Sequence, residues 1–251
     1  MAGKDELTTS LNTVEAAELL GVSEASVRRW GDAGLFPMQR VGKRRDRRFQ
    51  RSDLDAFLAR GNQPAAVSGS NLVSISGAQV PAGTHLATFY ASDAGRLRFV
   101  VPFLRDGIAM GQPCILVASG KLLDLYVEAL EADLKSTLSD AIRTGQLVIV
   151  PAPGATVEAS LAFWEDTVPA AVSKFGATVA RAVGDMASER EVFPSVREML
   201  MYEQFFTVLA RRLPSVTICQ YDVREFDGPV LLEAIKAHPD GFEFGMGRLV
   251  G

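Results

Sequence analysis

Two groups of residues in this 251-residue chain have the types and spacing to do chemistry: a basic cluster near the start, and polar side chains that end apolar runs further on. Between Arg28 and Arg51 stand nine Lys or Arg (Arg28, Arg29, Arg40, Lys43, Arg44, Arg45, Arg47, Arg48, Arg51) against two acids, Asp32 and Asp46. The whole chain has a net charge of −4. Such a local excess fits a polyanion, because each neutralised phosphate releases condensed counterions. Residues 1–62 hold 11 basic and 9 acidic groups, and the rest holds 15 and 21. An acidic body with one basic patch argues for a local docking surface rather than non-specific nucleic-acid coating.

The elements that must carry the basic cluster are short. TVEAAELL (13–20) reads as a helix with Thr13 as N-cap and Val14, Ala17, Leu19 and Leu20 on its apolar face. Gly21 breaks it, and Ser23 caps a second helix in which Val27 and Trp30 face inward while Ser26, Arg28 and Arg29 share the outer surface. Two helices joined by a tight turn form a helix-turn-helix. Leu35–Arg40 and Arg47–Phe49 then flank VGKRRD, which has the residues of a hairpin tip. A wing of this kind sends Arg40, Lys43, Arg44, Arg45, Arg47 and Arg48 toward phosphates or a minor groove. SDLDAFLAR closes the small core with Leu54, Phe57 and Leu58.

The run from Leu11 to about Arg60 resembles the winged helix-turn-helix of MerR-type and excisionase-like DNA-binding domains. The resemblance implies that Ser23, Ser26, Arg28 and Arg29 face the groove and that Arg40 and Lys43–Arg48 form the wing. The long dimerisation helix of a full MerR protein does not follow.

The expected organisation is a winged helix-turn-helix over 8–62, a connector over 63–83 rich in Gly, Ser, Pro and Ala, an α/β domain over 84–242 and a tail over 243–251. Within the connector, Leu72, Val73 and Ile75 alternate well enough for a short edge strand. From Thr84, apolar runs at 85–90, 114–119, 146–150, 178–186 and 216–222 alternate with helical patterns. Continuous apolar strands separated by helices predict a mostly parallel sheet covered on both faces. Ligands of such sheets sit beyond the carboxyl ends of the strands. Those ends carry Tyr90, Ser119, Lys121, Asp185, Gln220, Tyr221 and Asp222. Asp185 and Asp222 end greasy strands and need a donor or cation, for which Arg181 and Lys121 are candidates.

Other chemistries are excluded or disfavoured. Gly120-Lys121 opens a helix after a strand, but Leu122 follows and no upstream Gly completes a P-loop. His85, His238, Cys114 and Cys219 lack metal-ligand spacing, so no metal is expected. Cys219 as a nucleophile would need His85 on a neighbouring strand. Two distant cysteines and the lack of a long apolar run point to a cytoplasmic protein without membrane attachment.

The larger part also resembles the MEDS sensory domain of regulators from methanogens and methylotrophs. The matching pieces are HLATFY (85–90), VVPFLRDGIAMGQPCILVAS (100–119), GQLVIV (145–150), GDM (184–186), Tyr202-Glu203, CQYD (219–222) and His238-Pro239. Ala87 stands where a Cys is expected, and Asp185 where Glu is commoner. The resemblance implies a RecA/KaiC-like fold without a working P-loop, and a small-molecule effector. It adds His85, Met186, Tyr202, Glu203 and Cys219 to the strand-end residues and Arg181 as ligand candidates. The expectation is a one-component regulator, not an enzyme, with no identified cofactor, acting as a homodimer on promoter DNA. The alternatives are a DNA-binding protein with a degenerate ATPase-like domain, and a ligand-free protein-interaction module.

Overall fold

The computed structural model describes residues 10–20, 24–32, 36–61 and 71–243. The chain divides into two units, 1–62 and 63–251.

In the first unit, β1 (Ser10–Leu11) leads into α1 (Thr13–Leu20), followed by α2 (Glu24–Asp32), β2 (Gln39–Val41), β3 (Asp46–Gln50) and α3 (Arg51–Gly61). The N-cap of α1 is Asn12 rather than Thr13. Asn12 Oδ1 accepts from the amides of Val14 and Glu15, and Glu15 Oε2 accepts from the amide of Asn12. That reciprocal box satisfies three donors, which a Thr13 cap would not. It also turns the helix so that Val14 is exposed and Ala16 is buried with Ala17 and Leu20. Val27, Trp30, Phe36, Phe49, Leu54 and Phe57 fill the core. Phe36 packs edge-on against Phe49 and Phe57. The expected hairpin is present as β2 and β3, with Arg40 opposite Arg47. β1 adds a third strand along β3.

Within the stretch read as connector, β4 (Leu72–Ile75) and β5 (Ala78–Pro81) pair as a hairpin. Val73, Ile75 and Val80 are buried in the same cluster as Leu86, Phe99, Leu104, Leu116 and Ile218. The alternation at 72–75 extends through the hairpin, and one apolar face suffices to hold it against the core.

The remaining elements are β6 (His85–Tyr90), α4 (Asp93–Ala109), β7 (Cys114–Val117), α5 (Gly120–Leu134), α6 (Ser136–Thr144), β8 (Leu147–Val150), α7 (Val157–Phe175), β9 (Ala180–Asp185), α8 (Met186–Arg190), α9 (Val196–Ala210), β10 (Ser215–Asp222), α10 (Gly228–Ala237) and α11 (Asp240–Glu243). All five strands of the main sheet are parallel, in the order β6-β10-β9-β7-β8. Strand β10 is buried along its whole length. Its alternation sends Gln220 and Asp222 toward α4 and α5, and Cys219 and Tyr221 toward α9. The two faces therefore carry different polar centres.

Candidate functional site

The basic surface is built around the hairpin. Gly42 at φ 75° and Arg45 at φ 55° make the turn, closed by the amide of Arg45 donating to the carbonyl of Gly42 at 3.0 Å. Lys43, Arg44 and Arg45 are exposed on it, and Arg48 is half-buried on β3. Arg28 is exposed on α2 and pairs with Glu24 at 3.0 Å. Arg40 and Arg47 do not project freely. Both bind Asp32 at the end of α2, at 2.9 and 2.6 Å. These bonds hold the Asp32 carboxyl below its usual range, the Arg47 hydrogen bond foremost. Ser23 lies outside the described residues, as do the side chains of Ser26 and Arg29 on α2.

On the α4 side of the main sheet, the strand ends converge on one cation. Arg96 from α4 binds Asp185 and donates to Asp222 Oδ2 at 3.2 Å. The Tyr126 hydroxyl stands against both Gln220 Oε1 and Asp185 Oδ2, the latter at 2.7 Å, with one proton to give. Gln220 Nε2 donates to the carbonyl of Arg96 at 2.9 Å. Tyr90 lies under the guanidinium, its centroid 4.7 Å from Cζ. Arg224 braces Asp222 from outside at 2.6 Å and bonds Asp93 at 2.9 Å. The two carboxylates differ in consequence. Burial raises the Asp185 pKa despite Arg96. Burial acts the same way on Asp222, but the bonds from Arg224 and the attraction of Arg96 outweigh it and leave that carboxyl below its ordinary value.

Four expected candidates fall elsewhere. Arg181 does not meet Asp185: four residues earlier on the same strand, it is about 13 Å away along the chain. It donates instead to Gln112 Oε1 at 2.7 Å and to the carbonyl of Phe103 at 2.9 Å. Lys121 is exposed, and Ser119 donates its amide to Ser188 Oγ at 3.2 Å. Met186 is buried in the first turn of α8. The partners that sequence reasoning missed are Arg96 and Tyr126. Arg96 carried a signal, since Phe99, Val100 and Phe103 at i+3, i+4 and i+7 mark its helix face as apolar.

On the α9 side, His85, Glu203, Cys219 and His238 bring one donor atom each within 4.8 Å of one another, all buried. His85 Nε2 is 3.1 Å from Cys219 Sγ and 3.7 Å from Glu203 Oε2. His238 Nε2 is 2.9 Å from Glu203 Oε2. Tyr221 donates its hydroxyl to the same carboxylate at 3.0 Å. The absence of ligand spacing along the chain did not prevent this cluster, because its members come from β6, α9, β10 and the end of α10. Next to it, Trp164 Nε1 donates to the Tyr202 hydroxyl at 2.7 Å, and Phe206 packs edge-on against His85. Glu189 is buried with Oε2 unpaired, and burial, reinforced by Glu203, pushes its carboxyl well up.

The His85–Cys219 pair is close, and both side chains are buried. Burial, then Glu203, pushes the Cys219 thiol well above its ordinary value, and burial lowers His85. An activated thiolate needs the opposite shift. Away from both centres, a half-open hollow of about 230 Å³ lies between the β4–β5 turn and α4, beside Ile75, Arg98, Phe99 and Asp106. No helix among the described residues is long and apolar enough to cross a membrane.

Comparison with known proteins follows this division. Residues 10–62 match a helix-turn-helix domain family. The transcriptional repressor DcmR of Methylorubrum extorquens is 34% identical over 247 residues, covering 93% of this chain and 91% of the relative. A KaiC-like protein of Pyrococcus horikoshii overlaps 64% of this chain and 70% of its own at 18% identity and TM-score 0.45. The flagellar accessory protein FlaH of Methanocaldococcus jannaschii overlaps 67% and 77% at 11% identity and TM-score 0.46. Residues 84–239, which hold both polar centres, match the methanogen/methylotroph DcmR sensory domain, and the chain belongs to that family.

Proposed function

We propose that this chain is a one-component transcription regulator. Its helix-turn-helix unit binds double-stranded promoter DNA, and its α/β unit senses a small-molecule effector. The observation that carries the reading is the exposed basic turn at Lys43, Arg44 and Arg45, set beside the helix pair of a domain matched as helix-turn-helix. The repressor relative, similar over nearly the whole chain, supports it.

Within this reading, the hairpin is a wing of the MerR/excisionase kind and the α/β unit has no catalytic role. The protein acts in the cytoplasm as a homodimer, since one short recognition helix covers few base pairs and two copies supply the missing specificity. The effector acts through the α/β unit, with a coupling of about 1–3 kcal/mol, roughly 5- to 150-fold in DNA affinity.

The test is fluorescence anisotropy on the DNA upstream of the protein's own gene, over a range of salt. Binding that weakens linearly in log–log form supports the reading. Absence of binding, or binding insensitive to salt, overturns it.

A further inference from the structure

The protons around His85 and His238 can be placed by elimination. Thr207 Oγ1 faces the carbonyls of Glu203 and Ala237, and its single proton goes to one of them. It therefore accepts from His85 Nδ1, 2.9 Å away. With that proton on Nδ1, the Nε2 of the singly protonated ring presents a lone pair toward Cys219 Sγ, 3.1 Å away. His238 Nδ1 lies 2.6 Å from the carbonyl of Ala234, an acceptor only, so Nδ1 holds a proton there too. In the neutral ring, His238 Nε2 is then a second lone pair. It has no hydrogen-bond partner, although Glu203 Oε2 is 2.9 Å away.

Four electron-pair donors thus converge in a buried space: two imidazole nitrogens, a carboxylate and a sulfur. The Cys219 thiol and the Tyr221 hydroxyl each have a proton to offer the Glu203 carboxylate, but His238 Nε2 faces Oε2 without a hydrogen bond, which is costly in such surroundings. In a tetrahedral zinc site, bonds of about 2.0–2.3 Å place neighbouring donor atoms about 3.3–3.8 Å apart. The separations of 2.9, 3.1 and 3.7 Å fall close to that range, and all four donor atoms lie within 4.8 Å of one another, so a small closing movement completes the tetrahedron. Both histidines have their outer nitrogens fixed by a hydroxyl or a carbonyl, the arrangement that orients imidazole ligands.

We propose that His85, Glu203, Cys219 and His238 form a buried four-coordinate site for a divalent transition-metal ion of the zinc class. Imidazole and thiolate donors select such an ion over magnesium or calcium, which prefer oxygen. Binding replaces the thiol proton of Cys219, which leaves to solvent. The resulting thiolate and the Glu203 carboxylate balance the two positive charges. The ion ties α9 and the end of α10 to the sheet strands β6 and β10. This inference does not rest on the regulator reading, and its test needs no DNA.

The experiment uses the full chain, purified without a histidine tag or chelator. Elemental analysis should find about one zinc-class ion per chain. Cys219→Ser and His238→Ala should each lower that content about tenfold or more. Cys114→Ser, which changes the other buried thiol, should keep it. Cobalt exchanged into the native protein should show thiolate-to-metal charge transfer that Cys219→Ser abolishes. If the variants do not fold, the native chain decides alone: chelator-stripped protein titrated with zinc chloride should bind it and gain thermal stability. A native chain that carries no transition metal and does not respond to added zinc would overturn the proposal. So would a cobalt form without the thiolate band.

Discussion

Arg47 reaches from β3 to Asp32 at the end of α2, with Nη2 2.6 Å from Oδ2, and Arg40 on the paired strand holds the other carboxylate oxygen at 2.9 Å. One acid therefore ties both strands of the basic hairpin to the second helix, and two of its arginines are occupied before DNA arrives. Asp32→Asn should release them. We expect tighter non-specific DNA binding and a steeper dependence of log K on log salt, with a lower ratio of specific to non-specific affinity. Arg44→Gln and Arg45→Gln should each flatten the slope by about one unit. Anisotropy at several salt concentrations measures both. An unchanged slope in Asp32→Asn would mean that Arg40 and Arg47 already contact phosphate.

Arg96 is the only cation within reach of Asp185 among the described contacts, while Asp222 also has Arg224. Arg96→Met should cost about 3–5 kcal/mol of stability, the usual loss when one partner of a buried pair is removed. Adding Asp185→Asn should recover part of that loss, because the stranded carboxylate goes with it. Urea unfolding of the two variants checks the coupling; strictly additive losses would show that the pair is not the stabilising unit.

Asp222 and Asp185 should respond to acid in opposite senses. The native pKa of Asp222 is lowered, so its stabilising contribution is present above the unfolded value of about 3.9 and is lost as pH falls through the native one. Asp222→Asn should therefore show a smaller drop in Tm between neutral pH and about pH 3. The native pKa of Asp185 is raised, so its ionisation costs stability as pH rises. Asp185→Asn should steepen the acid-side loss. Calorimetry across that range distinguishes the two.

Gly107 in α4 has no room for a methyl group. A Cβ there would stand 2.7 Å from both Arg181 Cδ and Cys114 Sγ. Arg181 is held by bonds to Gln112 and Phe103, so it cannot swing aside cheaply. Alanine would gain up to about 1 kcal/mol in helix propensity, and overpacking would cost about 1–3 kcal/mol. We expect Gly107→Ala to lower stability by about 1–2 kcal/mol in denaturant unfolding. A stabilised variant would mean that Arg181 yields.

Local signals in the chain were enough for the elements and their order. The apolar runs ending at Tyr90, Asp185 and Asp222 became parallel strands, and the basic stretch after Trp30 became a hairpin, because periodicity and turn residues act over a few positions. The same locality explains the failures. Composition points to Thr13 as a cap, but the reciprocal bonding of Asn12 and Glu15 depends on where both side chains lie. Arg181 has the charge to serve Asp185, but an extended strand holds the two apart and gives Arg181 to Gln112 and Phe103.

What the sequence by itself determined is a charged hairpin beside a helix pair, followed by an alternating α/β chain with polar residues at its strand ends. Only the tertiary structure decided that Arg96 neutralises those ends, and that His85, Glu203, Cys219 and His238 meet. The reason is the strand order: β10 is last in sequence but lies between β6 and β9, so residues more than a hundred positions apart become neighbours. No spacing along the chain records that.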